Sequence, residues 1–246
     1  MIHNEGISSL EVHSLLRNIN FSIEKARKLQ MFLSRKVILE DQLPGSIKYV
    51  AGIDVAYTNK KSIGAVAVLD YRSMKPIESR VAIVETRFPY VPTLLSFREI
   101  PPTVSAIREL TIKPDVFLVD GHGIAHPYRL GFASHLGVIL DIVTIGVAKS
   151  LLCGKVGRRE DEFWKPIIYK GAVVGRALFT RVDAKPVYVS VGHRISLKTA
   201  IKIVLACSRG YRIPEPLRKA HMVAEKTKRK IMVEINGGWE NVRPPT

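Results

Sequence analysis

Residues 115–120 read DVFLVD, a continuous apolar run closed by carboxylates and followed by Gly-His-Gly. A run with no polar alternation is the pattern of a strand buried on both faces, and such strands belong to parallel sheets covered by helices. Three Val-, Ile- and Ala-rich stretches precede it, at 49–57, 64–71 and 77–86. Short polar links (Asn59, Lys60 and Lys61, then residues 73–76) join them, as consecutive antiparallel strands require. A helix over about 129–140 and a strand at 142–147 complete a β-α-β unit after the buried run. Ser22 is placed to cap a helix over about 23–37, with Glu24 in its first turn. The Pro-studded stretch 89–102 leads into a helix from Thr103 to about Leu110. Later come strands at 172–180 and 186–191 and helices at about 196–207 and 215–228. The order β-β-β-α-β-α-β predicts an α/β fold, a mixed sheet with antiparallel strands first, parallel strands next, and helices on its faces. No repeat or Gly/Ser linker divides residues 1–246, so one domain is expected.

The charge narrows the class of partner. The 246 residues carry 38 Lys+Arg against 22 Asp+Glu, a net charge of +16, while 46% are hydrophobic. That balance argues against a disordered basic tail. Residues 1–149 account for +4 of the excess and residues 150–246 for +12. A polyanion, nucleic acid above all, is the functional reading; a solvated lysine-rich surface is the bland one. Cys153 and Cys207 are too few for a disulfide scaffold, so a reducing compartment is expected. No apolar run approaches the ~20 residues that span a bilayer, and MIHNEGISSL has no secretory pattern. A protein of the cytoplasm without a membrane partner is the expectation.

Two carboxylates sit where carboxylates are costly. Asp54 interrupts the apolar strand YVAGIDVAY, and Asp120 ends DVFLVD, where an open α/β sheet usually carries its site. Each could cap a turn. As a pair on core strands they suggest a shared cation, and oxygen ligands suit Mg²⁺ or Mn²⁺ in phosphoryl chemistry. Glu99 could add a third acid or merely pair with Arg98. Tyr90, held between Pro89 and Pro92, could stack on or wedge between bases, or could pack under its own loop. His193, in VSVGHRIS, reads as a turn histidine near a phosphate or as a core histidine. His122 and His126 lie in a Gly/Pro loop without cysteines, which excludes structural zinc. GKVGRR lacks the pattern of a phosphate-binding P-loop.

Taken in order, VAGIDVAY, RFPYVPTLLSFRE, DVFLVDGHGIAHPYRLGFASHLGV, GVAKSLL and VSVGHRISLKTAI closely resemble the endonuclease V family, from about Glu24 to Pro216. The resemblance implies a ribonuclease H-like fold and a Mg²⁺-dependent DNA-repair endonuclease, with Mn²⁺ as a substitute. Its substrate would be DNA containing deoxyinosine. The cut would fall at the second phosphodiester bond 3′ to the hypoxanthine, leaving 3′-hydroxyl and 5′-phosphate ends. It assigns Asp54 and Asp120 to the metal, with Glu99 and His193 completing the catalytic set. It makes Tyr90 the wedge and places His126 and Lys149 near the scissile strand. It puts the base pocket around Thr93, Leu95, Gly121 and Phe132. Thr93 stands where the family usually has Gly, and Lys198 where many members have an acid. An inosine-specific ribonuclease and a non-cleaving binder of lesions or branched DNA are the alternative readings. A monomer is expected.

Overall fold

The computed structural model describes residues 22–158, 161–181 and 183–237. Its frame is a nine-stranded sheet in the order β3-β2-β1-β4-β5-β9-β8-β7-β6. The strands are β1 (Tyr49–Tyr57), β2 (Lys61–Asp70), β3 (Pro76–Glu85), β4 (Val116–Asp120), β5 (Thr144–Ala148), β6 (Lys155–Val156), β7 (Trp164–Tyr169), β8 (Ala172–Leu178) and β9 (Val187–His193). The first three strands form an antiparallel meander; β1, β4 and β5 are parallel; β9 returns antiparallel to β5. The helices are α1 (Ile23–Ser34), α2 (Ser96–Arg108), α3 (Phe132–Leu140), α4 (Leu197–Ser208) and α5 (Glu215–Gly237). The expected mixed α/β architecture is the one found.

The apolar run of β4 is divided between two cores. Val116 and Leu118 pack with Ala200, Val204, Leu217 and Ala220 of α4 and α5. Phe117 and Val119 face the other way, against Ile100 and Val104 of α2 and Ala133 and Leu136 of α3. Burial on both faces explains why the run shows no alternation. Two glycines let the covering helices come close. A Cβ on Gly52 of β1 would lie 2.0 Å from the Pro216 carbonyl oxygen, and one on Gly64 of β2 would lie 2.5 Å from the Pro102 carbonyl carbon. The first brings α5 against the sheet, and the second brings α2 against the opposite face.

Several boundaries differ from expectation. The helix expected from Thr103 begins at Ser96, with Pro101 and Pro102 inside it. Proline reads as a helix start because its ring fits the first turn. Here the buried Ile100, Thr103 and Val104 hold the helix through the prolines. The helix at the N-terminal side does start after Ser22, whose hydroxyl accepts from the Lys25 amide at 3.4 Å, but it ends at Ser34. The strand β7 was not foreseen. Its sequence, WKPIIY, carries a proline, which speaks against a strand except near an edge. Among the described residues only the two-residue β6 lies outside it.

Candidate active site

Strand register brings the two aspartates together. Ile53 pairs with Val119 in the parallel β1–β4 ladder, so Asp54 and Asp120 are the next residues of the two strands. Asp120 in turn pairs with Val147 of β5. Two residues past Val147, the Lys149 ammonium donates to Asp120 Oδ2. Arg212 braces that lysine from behind, its Nη2 donating to the Lys149 carbonyl at 2.9 Å and the Pro186 carbonyl at 3.1 Å. Glu99 comes from the first turn of α2.

The acids feel one another. Burial, then the charges of Asp120 and Asp54, pushes the Glu99 carboxyl up to about 8, with Arg98 opposing. Burial and Asp54 likewise raise Asp120, against the pull of Lys149 and then His221. Folded Glu99 therefore keeps a proton that the unfolded chain would lose above its ordinary value of 4.5. The sign follows from linkage: this group lowers stability as pH rises from about 4.5 through about 8. Without divalent cation, Glu99→Gln is expected to melt higher than the parent at pH 9 and to show little gain at pH 5. Thermal melts of both proteins across that range check it.

The imidazole at the acids is not the expected one. His193, 2% exposed, accepts the Ile38 amide on Nδ1 at 3.1 Å and sets Nε2 3.4 Å from Asp141 Oδ1. It pairs with Thr144, the first residue of β5, whereas Asp120 pairs near that strand's last residue. Because β9 runs antiparallel to β5, its C-terminal end lies at the opposite rim of the sheet. Burial lowers the His193 pKa, with the Asp141 hydrogen bond opposing. The structure thus makes His193 a buttress of the 38 and 141 loops. His221 of α5 takes the place at the site: its Nδ1–H donates to Asp54 Oδ2 at 2.7 Å. That bond leaves Nε2 as the acceptor nitrogen. Asp54 Oδ1 accepts from the Val55 amide at 2.9 Å, which fixes the carboxylate. A sequence signal existed. Leu217, Ala220 and Ala224 are the buried stripe of α5, and His221 is the polar residue set into that i, i+3, i+4, i+7 pattern.

Beside the acids opens a cavity of about 220 Å³. Tyr90, Pro92, Thr93, Leu95, Gly121, His126 and Phe132 line it, together with Glu99 and Asp120. The four expected pocket residues therefore meet. Pro89 is not among the lining residues, and Lys149 reaches the site through Asp120. Tyr90 is 70% exposed at the mouth, which excludes the reading in which it packs under its loop. His126 is only 3% exposed. Its Nδ1 accepts the Tyr128 amide at 3.2 Å, and its other nitrogen donates to the Thr93 carbonyl. Burial pushes it down to about 4, so it is a neutral strut of the loop. Lys198 is exposed in the first turn of α4, which follows the far end of β9.

Thr93 has φ +68°, the left-handed region that glycine adopts freely. A β-branched residue there costs about 1–2 kcal/mol and persists only where its surroundings hold it. The Gly-to-Thr departure noticed in the sequence is thus a departure at a conformationally demanding position.

The donor set suits a hard cation. Asp54 and Asp120 are adjacent carboxylates whose mutual repulsion Lys149 and His221 offset in part. Among the described residues no group of three or more His, Cys, Asp or Glu forms a closed cage. Mg²⁺ typically takes one or two carboxylates and fills its shell with water and substrate phosphate, so an open pair fits it. No described helix is long and apolar enough to cross a membrane.

Comparison with known proteins gives one family. The family model described as Endonuclease V matches residues 31–222, a span that includes His221. The chain is 47% identical over 230 residues to an endonuclease V of Thermofilum pendens, covering 92% of this chain and 96% of that protein. It is 50% identical over 207 residues to one from Nostoc, covering 82% and 94%. Among solved structures, endonuclease V of Streptomyces avermitilis superposes with a TM-score of 0.81 at 38% identity, over 86% of this chain and 95% of that one. Endonuclease V of Ciona intestinalis, solved with a 24mer DNA containing an inosine followed by a ribo-adenosine, gives 0.78 at 34% identity, over 85% and 98%. With its two strand aspartates, its cavity and these relatives, the chain belongs to the endonuclease V family of nucleases.

Proposed function

We propose that this protein is a Mg²⁺-dependent repair endonuclease that nicks DNA at the second phosphodiester bond 3′ to deoxyinosine, leaving 3′-hydroxyl and 5′-phosphate ends. The observation that carries the reading is the convergence of Asp54, Glu99, Asp120, Lys149 and His221 at the rim of a cavity whose mouth bears an exposed tyrosine.

The basic surface holds the backbone, with affinity that falls as salt rises. Extrusion of a base costs least where pairing is weak, as at hypoxanthine. Tyr90 fills the gap in the stack, and the base enters the cavity between Thr93 and Leu95 on one side and Gly121 and Phe132 on the other. Hypoxanthine offers an N1–H donor and an O6 acceptor and lacks the exocyclic amine of guanine. Backbone groups read that edge, and a close wall excludes the amine.

A divalent cation held by Asp54 and Asp120, for which Mn²⁺ substitutes, would polarise the scissile phosphate and ease deprotonation of water. The Asp54 carboxylate orients the His221 ring so that Nε2 faces outward to accept the proton of the attacking water. Lys149 places a positive charge where negative charge grows on the phosphate. Glu99, on the α2 side of the cavity, orients the water.

A labelled duplex with one deoxyinosine tests the reading: the product length reports activity, lesion choice and cut position together. The Ciona relative was solved with a strand carrying a ribo-adenosine after the inosine. Matched DNA, RNA and mixed strands should therefore be compared; faster cutting of the RNA would make inosine-containing RNA the substrate. Tyr90→Ala is expected to lose the stacking worth about 1–3 kcal/mol per base. That loss should raise KM for a duplex lesion far more than for the same lesion in a single strand, as steady-state kinetics on both would show.

A further inference from the structure

The loop of Tyr90 and Thr93 is tied to another wall of the cavity by α1. Gln30 of α1 is completely buried. Its side-chain NH₂ has two hydrogens, and both are used: one goes to the Thr93 carbonyl at 2.9 Å, the other to the Leu130 carbonyl at 3.0 Å. Thr93 lines one side of the cavity, and Gly131, next to Leu130, lines another. A single amide nitrogen therefore bridges the two loops whose backbones form the cavity. The amide is itself held in orientation, since its oxygen accepts from Arg27 Nη1 at 3.0 Å. Arg27 also donates to the Pro92 carbonyl at 3.2 Å and the Thr93 carbonyl at 3.4 Å, and its guanidinium lies 4.2 Å over the Tyr128 ring. His126 adds a further donor to the same Thr93 carbonyl. All of this converges on the one lining residue that is β-branched with a positive φ.

We propose that Gln30, supported by Arg27, is a positioning residue that sets the width of the lesion cavity by fixing the Thr93 and Leu130 carbonyls at a common distance. The inference rests on the reading of that cavity as the inosine pocket. The Gln30 side chain is buried, its Leu130 bond is buried and its Thr93 bond partly so, and a buried amide without partners is costly, so the spacing has little freedom to drift. A cavity of fixed width can reject a base that is one amine larger; a loosened one cannot.

Gln30→Met preserves side-chain length and apolar packing while removing both bridging donors. For a single-deoxyinosine duplex, about a tenfold rise in KM is expected, with kcat within about twofold of the parent. Affinity for undamaged duplex should not change. Cutting of deoxyguanosine and deoxyxanthosine relative to deoxyinosine should increase. A general loss of fold would lower every activity together and would not shift that ratio. Arg27→Leu, at a half-buried surface position, should move the ratio the same way by less, and serves if Gln30→Met does not fold. In a Thr93→Gly background the effect of Gln30→Met should shrink, because glycine holds the positive φ unaided. A folded Gln30→Met protein with the parent's lesion preference overturns the proposal. A parent protein that fails to prefer deoxyinosine over undamaged DNA overturns the reading of the pocket instead.

Discussion

Asp120→Asn is expected to slow nicking of a deoxyinosine duplex by about a thousandfold, or about 4 kcal/mol of barrier, while leaving the fold intact. The substitution keeps shape and volume and removes one charge. That charge is unfavourable in the protein alone, since burial and Asp54 raise the Asp120 pKa. Its loss also releases the Lys149 ammonium from its partner on Oδ2. A thermal melt near or above the parent's, together with a nearly silent enzyme and a weakened response to Mg²⁺, is the combined signature. Single-turnover cutting at saturating enzyme separates this loss from weaker DNA binding. An Asp120→Asn protein that cuts like the parent would sink the mechanism.

His221→Ala is expected to lower single-turnover cutting by about 10²–10⁴-fold, the span of a lost general base. The ring is half-exposed, but its loss leaves the buried Asp54 carboxylate without that partner, so a stability cost of about 1–3 kcal/mol is expected beside the loss of cutting. His193→Ala is the contrasting case. It strips a buried acceptor from the Ile38 amide and should cost about 1–3 kcal/mol in stability, with cutting per folded molecule near the parent's. Chemical denaturation and pre-steady-state cutting on the two variants distinguish the chemical histidine from the structural one.

The difference between those histidines shows what was readable in the chain. Asp54 and Asp120 stand out because apolar strands advertise any charge placed in them. The Val-, Ile- and Ala-rich, short-linked stretches of β1 to β3 and the apolar run of β4 announce a mixed sheet. Their adjacency, by contrast, comes from parallel register between residues 66 positions apart, and no local pattern encodes register. His193 misled because GHRIS follows a strand and precedes a helix, a common setting for a functional turn. The direction of β9 relative to β5 decides which rim that turn occupies, and direction is a tertiary property. His221 belongs to an amphipathic helix whose stripe was legible, but the strand it meets was not. Pro101 and Pro102 concealed seven residues of α2, and with them the fact that Glu99 rides on a helix rather than a loop. Thr93 was visible as a departure from a resemblance; its φ gives the departure a physical meaning.

The acids and the imidazole come from four stretches of chain that are far apart: β1, the start of α2, the end of β4, and α5. On the ribosome, residues 54, 99 and 120 emerge well before residue 221. A nascent or prematurely ended chain that stops before α5 would carry the carboxylates but have no base to pair with Asp54. It would also expose the face of β1 that Pro216 and Leu217 cover. On the proposed mechanism, cutting therefore waits on the docking of α5 against the sheet.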